Sequence, residues 1–185
     1  MIVFGLVATI AAGKDEVSKY LQSKGFYEIH TGSSGIAKEM VEKAGLEFNR
    51  ENLTKVMNEY RQKFGEDATS RLIVKKIYES GKDSVIVNSL RLISDYDVLK
   101  SEYGEAFKVV LVDAPVEIRA NRIIKRARPG DPKTVEEFRK QEESELRSFD
   151  FYKIKEKVDI IVENPFNTFE ELHAETQKKL GRWIK

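Results

Sequence analysis

The sequence predicts an α/β fold in three layers, α/β/α, around a five-stranded parallel sheet. Three observations lead there. Short apolar runs near 2–7, 84–89 and 107–113 alternate with longer segments whose apolar residues recur at helical spacing. Strands buried on both faces read this way, as near-continuous apolar runs rather than as alternation. The 185 residues suffice for one domain with a sizeable core and are too few for two ordinary ones, and no repeat, linker or low-complexity segment divides them.

Each element has its own signal. The first strand spans 2–7, and after a loop of small residues Gly13 and Lys14 open a helix marked by Val17, Tyr20 and Leu21. Gly25 ends that helix, 26–30 is a short second strand, and 31–35 is a loop. Helical spacing over 36–44 stops at Gly45, and Asn49 suits the N-cap of a helix that runs to Phe64. Gly65 breaks it and 68–80 resumes. The third strand covers 84–89, a surface helix 93–103, and the fourth strand 107–113. Ala114 and Pro115 then lead into a helix carrying Arg119, Arg122 and Arg126. Residues 128–133 must be a loop, because two prolines and a glycine exclude helix. Helix follows over 134–149, the fifth strand over 158–162 and a closing helix over 168–183. Ligands of open parallel sheets collect beyond the carboxyl ends of the strands. The loops 8–14, 31–35, 88–91 and the stretch after Asp113 are therefore expected to line one crevice.

Composition narrows the function classes. The charged fraction is 34% but the net charge is only +1, so the basic residues are balanced and a nucleic-acid partner is not expected. With no cysteine there is no disulfide, no thiol nucleophile and no cysteine-bound metal. His30 and His173 are the two histidines and lie too far apart in the chain to suggest zinc. The first apolar run has no basic region before it and is too short for a bilayer, so neither a signal peptide nor a membrane segment is expected. A reducing, cytoplasmic setting fits, and the Lys/Glu-rich surface is compatible with a heat-adapted source.

The chemistry is expected at the first turn. Strand, small-residue loop, Gly-Lys and helix is the layout of a phosphate-binding loop. Its backbone N–H groups and helix N-terminus face an anion, and the lysine adds charge at the terminal phosphates. The pattern G-x-x-x-x-G-K-[S/T] meets Ala8, Thr9, Ile10, Ala11, Ala12, Gly13, Lys14 and Asp15, so alanine replaces the first glycine and a carboxylate replaces the magnesium-binding hydroxyl. Ala8 costs little if its φ is negative and more if the turn needs a positive φ. The blander reading is a turn that merely packs tightly.

With these residues placed, the chain resembles P-loop kinases of the nucleoside-monophosphate-kinase superfamily, in particular the archaeal adenylate-kinase-related and dephospho-CoA-kinase-like proteins. The resemblance covers nearly the whole length. It rests on Phe4-Gly-Leu-Val, Ile10-Ala with Gly13-Lys14-Asp15, Gly45-Leu-Glu with Arg50-Glu-Asn-Leu53, Asp113-Ala-Pro-Val-Glu-Ile-Arg119, Arg126-Ala-Arg, Gly130-Asp-Pro-Lys-Thr134 and Glu136-Glu-Phe138. It implies a P-loop NTPase fold of the nucleotide-kinase type with an acceptor-binding helical insert at about 33–80 and a lid at about 119–150. It also implies ATP and Mg²⁺ as cofactors and a small nucleotide-like acceptor, an (d)NMP or a dephospho-CoA-like molecule. ATP would lie along residues 8–15 and Glu16, with Gly13 and Lys14 at the β- and γ-phosphates and Asp15 at the metal. Arg91 matches an arginine that holds the acceptor phosphate, and Lys38 sits where relatives often carry a substrate-binding arginine. Ser34 and Arg128 join them on the substrate side. Arg122, Arg126 and Arg128 match lid arginines that close over the donor, where a planar guanidinium can hold two phosphate oxygens.

Two departures bear on catalysis. Relatives place an aspartate where Gly35 stands and end the third strand on Asp-Gly-x-Arg, where this chain has Asn88-Ser-Leu-Arg91. Asp15, Glu16 and Asp113 are then the carboxylates left for metal or proton. A slow or non-catalytic nucleotide-binding protein is the alternative. Several candidates also have plainer roles: Arg119 in a structural pair, Asp113 as a helix cap, His30 closing a strand, Thr31, Ser33 and Ser34 in a turn, and 136–145 as a solvated face. Trp183 is expected to anchor packing, within the chain or across a homodimer.

Overall fold

In a computed structural model, residues 1–31, 35–148 and 150–184 are described. Strands β1 (Ile2–Ala8), β2 (Tyr27–His30), β3 (Ser84–Asn88), β4 (Phe107–Asp113) and β5 (Ile160–Glu163) form one sheet in the order β2-β3-β1-β4-β5. Every pairing is parallel. The carboxyl ends of all five strands therefore lie along one edge, and the loops expected to meet do leave from that edge. Among the described residues nine helices connect and cover the strands: α1 (Lys14–Ser23), α2 (Ile36–Lys43), α3 (Arg50–Phe64), α4 (Ala68–Ser80), α5 (Ile93–Tyr103), α6 (Val116–Arg126), α7 (Val135–Ser148), α8 (Phe151–Lys155) and α9 (Phe169–Leu180).

The strands' alternation of faces builds two cores. Val3, Val85, Val87, Val109 and Leu111 pack with Ile73, Ile77, Leu99 and Ile154. Phe4, Leu6, Ile86, Val110 and Val162 pack on the other side with Val17, Leu21, Leu172 and Leu180. Each such fully buried side chain contributes about 1.5–3 kcal/mol. A third, smaller cluster joins Ala120 and Ile123 of α6 to Phe138 of α7, with Ile10 and Ala11 against it. The loop after β1 is thus packed beneath the two helices rather than standing clear.

Element boundaries follow local chemistry. Asn49 caps α3, its Oδ1 accepting from the Asn52 N–H at 2.8 Å, and Thr168 caps α9 with Glu171 in a reciprocal box. The short helix α8 was not expected, since Asp150 to Lys155 carries too few residues for a period to show. The fifth strand begins at Ile160 rather than at 158, because the Asp159 backbone and carboxylate both bond the Val109 peptide. The closing helix ends at Leu180 and a 3₁₀ turn carries Trp183, which meets Phe4 edge-on at 5.6 Å. Among the described residues no helix is long and apolar enough to cross a membrane.

Candidate functional site

The loop between β1 and α1 turns on two left-handed residues, Ala11 (φ 59°) and Gly13 (φ 100°). Ala8 is not one of them, so the missing first glycine costs nothing there; the strain falls on Ala11, at about 1–2 kcal/mol. Gly13 is required twice over. Its φ suits glycine, and a Cβ there would lie 2.5 Å from Asn164 Nδ2.

Three loop carbonyls are held from behind. Ile10 O accepts from Arg119 Nη1 at 3.3 Å, Ala11 O from Arg122 Nη1 at 3.2 Å, and Ala12 O from Asn164 Nδ2 at 2.7 Å. Across a trans peptide the N–H of the next residue points the opposite way. The Ala11 and Gly13 N–H groups accordingly face away from these braces, and neither has a protein acceptor among the described residues. The Ala12 N–H closes a turn onto Thr9 O at 3.2 Å. Thr9 Oγ1 donates to Asp113 Oδ1 at 2.6 Å, and the same oxygen accepts from the Ala114 N–H at 2.9 Å. Asp113 thus ties the loop to the turn before α6.

The braces are themselves anchored. Arg119 is 6% exposed and forms a two-pronged pair with Glu142 of α7, which is 8% exposed. Its Nε also donates to Ala114 O at 2.7 Å. Arg122 Nη2 donates to Phe166 O at 2.7 Å and to Asn164 O at 3.1 Å. The run 136–145 is therefore solvated on one side only: its inner side carries Glu142 into a buried pair.

Lys14 opens α1, and its side chain is 18% exposed. Its ammonium donates to Asp15 Oδ1 at 2.8 Å and to Asn88 Oδ1 at the end of β3. Asn88 Nδ2 donates to Glu28 Oε1 at 2.6 Å. Desolvation of the crevice raises the Asp15 carboxyl, but the Lys14 hydrogen bond and charge, with Asn88, outweigh it and leave it below its ordinary value. Asp15 keeps a 77% exposed side chain. Burial, then the Lys14 charge, lowers the pKa of His30, whose Nδ1 is buried without a partner.

Beyond β3 the chain turns through Ser89 at φ 72°. Thr31 pins this turn, donating through Oγ1 to Ser89 O at 2.6 Å and through N to Asn88 O at 3.1 Å. Leu90 then drops into the core and Arg91 emerges at the crevice. Asp95, 5% exposed, receives Ser70 Oγ at 2.7 Å and the Leu92 N–H at 3.1 Å, fixing the start of α5 just past Arg91. Asp150 binds the same corner: its N–H donates to Arg91 O and its carboxylate accepts from the Ile93 N–H. The resulting cavity, about 70 Å³, lies among Ala8, Ile10, Lys14 and Arg91, roofed by Glu145, Leu146 and Phe151.

The structure thus gathers Ala8, Ile10, Lys14 and Arg91 at one cavity, with Asp15 bound to Lys14 beside it. Others stand elsewhere. Arg122 lies under the loop with its donors on backbone carbonyls. Arg126 is clamped by both oxygens of Asp131, at 2.9 and 2.5 Å, and Asp131 also accepts the Arg128 N–H. Glu16 turns to α9, accepting from His173 at 2.9 Å. Lys38 pairs along its own helix with Glu42 and is 48% exposed. Ser34, with Gly32 and Ser33, lies outside the described residues. At Gly35 a Cβ would stand 1.6 Å from the His30 carbonyl oxygen, so this backbone excludes any larger residue there, the aspartate that the kinase resemblance leads one to expect included. Glu28 and Asn164 were not among the residues the sequence singles out, and Glu142 and Glu145 belong to the run expected to be a solvated face. Only Glu28, an acid inside a short apolar strand, carried a visible signal.

For Mg²⁺ the donor set is thin but suitable. Among the described residues no group of three or more His, Asp or Glu could hold a metal alone. An ion at exposed Asp15 would share its coordination with phosphate oxygens and water, as this hard, water-retaining cation usually does.

No family model matches the chain. A UPF0200 protein of Methanosarcina acetivorans is 30% identical over 185 residues, covering 100% of this chain and 97% of its own. Among solved structures, TT1252 from Thermus thermophilus superposes with a TM-score of 0.61 at 16% identity, covering 99% of this chain and 95% of the other. Shikimate kinase from Bacteroides thetaiotaomicron gives 0.56 at 12% identity, covering 96% and 95%. At these identities the likeness is one of fold, and the fold is that of P-loop kinases.

Proposed function

The chain belongs to the UPF0200 family, and from its kinase scaffold we propose an ATP-dependent nucleotide kinase that passes the γ-phosphoryl group to a small nucleotide-like acceptor. The observation that carries this reading is the braced loop: three carbonyls tied back, two N–H groups turned out, and Lys14 at the helix start beside them. That is a cradle for the anionic oxygens of a polyphosphate. The adenylate-kinase-related and dephospho-CoA-kinase-like resemblance supports an (d)NMP or dephospho-CoA-like acceptor, held between the 31–38 region and Arg91. The helices at about 33–80 would form its binding insert and residues at about 119–150 the lid, in a cytoplasmic protein.

Little covalent chemistry is asked of such a protein; positioning and charge supply most of the rate. An acceptor oxygen would attack the γ-phosphorus as the bond to the β-phosphate oxygen breaks and ADP leaves; an (d)NMP phosphate attacks as the anion, and a hydroxyl acceptor would give up its proton to water. Lys14 would bind the terminal phosphates, Arg91 the acceptor side, and Arg126, once freed from Asp131, the donor. Mg²⁺ at Asp15 would neutralise phosphate charge. Arg122 would serve by holding the loop carbonyls rather than by touching phosphate.

A slower, nucleotide-sensing protein is the second reading, favoured by the neutral Asn88 and Gly35 at two acid positions. A coupled assay of ATP against a panel of (d)NMPs and dephospho-CoA separates the two. Turnover with one acceptor supports the kinase; ATP-dependent thermal stabilisation with no acceptor consumed defeats it and leaves the sensor.

A further inference from the structure

Glu28 stands on β2, opposite Ile86 of β3, and three donors converge on its carboxylate. Ser18 Oγ approaches Oε1 at 2.6 Å, Gln22 Nε2 approaches Oε2 at 3.2 Å, and Asn88 Nδ2 approaches Oε1 at 2.6 Å. On its other side Asn88 receives the Lys14 ammonium at Oδ1. Which way round an amide sits is normally a matter of assignment. Here the neighbours decide it, because a carboxylate only accepts and an ammonium only donates. Asn88 is 2% exposed, so bulk water does not compete for either end.

We propose that Glu28 is a positioning residue that acts through the Asn88 amide to aim the Lys14 ammonium. The proposal rests on the reading of Lys14 as a phosphate-binding lysine. In the chain of carboxylate, amide and ammonium each bond polarises the next. Asn88 therefore presents Lys14 with an oxygen more negative than an isolated amide would offer. Asn88 and Asp15 hold two of the three ammonium protons, which leaves the third for a ligand in the cavity that Lys14 lines. Without Glu28 the amide is free to turn its NH₂ toward Lys14, which repels the ammonium from that place.

The test is a double-mutant cycle read by calorimetric titration with ADP. Glu28→Leu should weaken ADP binding about 5–10-fold, the scale of one lost charge-assisted hydrogen bond. Glu28→Gln should stay within about twofold of wild type, because its Oε1 can still accept from Asn88 Nδ2. In an Asn88→Ala background Glu28→Leu should have no further effect, since coupled residues are non-additive. An unchanged affinity in Glu28→Leu, or the same loss in both backgrounds, overturns the relay. If Glu28→Leu does not fold, the side-chain amide resonances of Asn88 decide between outcomes without any nucleotide. They should move in Glu28→Gln, and unmoved signals overturn the proposal. Failure of the wild type to bind ADP strikes the phosphate reading instead, and the Asn88 resonances still judge the relay.

Discussion

Two of the three protons on the Lys14 ammonium are already engaged, by Asn88 and by Asp15. Binding polyphosphate then means exchanging or sharing these partners, not filling an idle charge. At Gly13 the backbone is the constraint: Gly13→Ala adds left-handed strain and a contact 2.5 Å from Asn164 Nδ2. We expect it to cost about 1–3 kcal/mol in urea unfolding, with ADP binding lost as well. His30 sets a pH dependence. Its folded pKa lies below 6.5, so in the window between that lowered value and 6.5 the unfolded chain binds the proton that the folded chain refuses. Stability should therefore rise with pH through this window and fall away as pH drops below 6.5. Urea midpoints from pH 5 to 8 should show that slope in the wild type and a flatter one in His30→Gln; equal slopes contradict it. Gly13 and Lys14 were readable from residue type and spacing, whereas Arg91 was singled out only through the resemblance. Glu28 stood out as an acid inside an apolar strand, but its partners did not, and Asn164 gave no local signal because it braces Ala12 from 152 residues away.

At the scale of elements, α6 and α7 are fastened by Arg119 and Glu142, both nearly buried. Removing one partner leaves an uncompensated charge, so Glu142→Ala should lower unfolding free energy by about 3–5 kcal/mol. Exposed pairs on the same helix, such as Lys140 with Glu136, should cost under about 1 kcal/mol when broken. Urea denaturation of the two variants compares them, and similar small losses contradict the buried latch. Most strands and helices were legible because apolar runs and caps are local signals: Asn49, Gly65 and the 128–133 prolines mark where the structure starts and stops. What pattern could not show was the inner side of α7. An acid-rich run looks solvated until Phe138, packing on α6, turns Glu142 inward.

For the whole molecule, the all-parallel order β2-β3-β1-β4-β5 puts the braced loop, the Ser89 turn and Arg91 on one edge of the sheet. The cavity there is about 70 Å³, whereas sites for nucleotide-sized ligands run to roughly 300–1,000 Å³. A phosphate seated in this cavity between Lys14 and Arg91 would meet Glu145, Leu146 and Phe151, so we expect that roof to move on binding. Hydrogen exchange in α7 and α8 should accordingly change on adding ADP while that of β1 and β4 stays fixed; a uniform response contradicts the moving roof.

The central claim is that residues 8–15 bind nucleotide phosphate through Lys14. Calorimetric titration of ATP with Mg²⁺ into wild type and Lys14→Ala addresses it directly. Saturable binding in the wild type, weakened at least about tenfold (~1.4 kcal/mol) in a Lys14→Ala protein of unchanged Tm, is the result expected. Equal affinity in the two proteins, or no binding to the wild type, contradicts it.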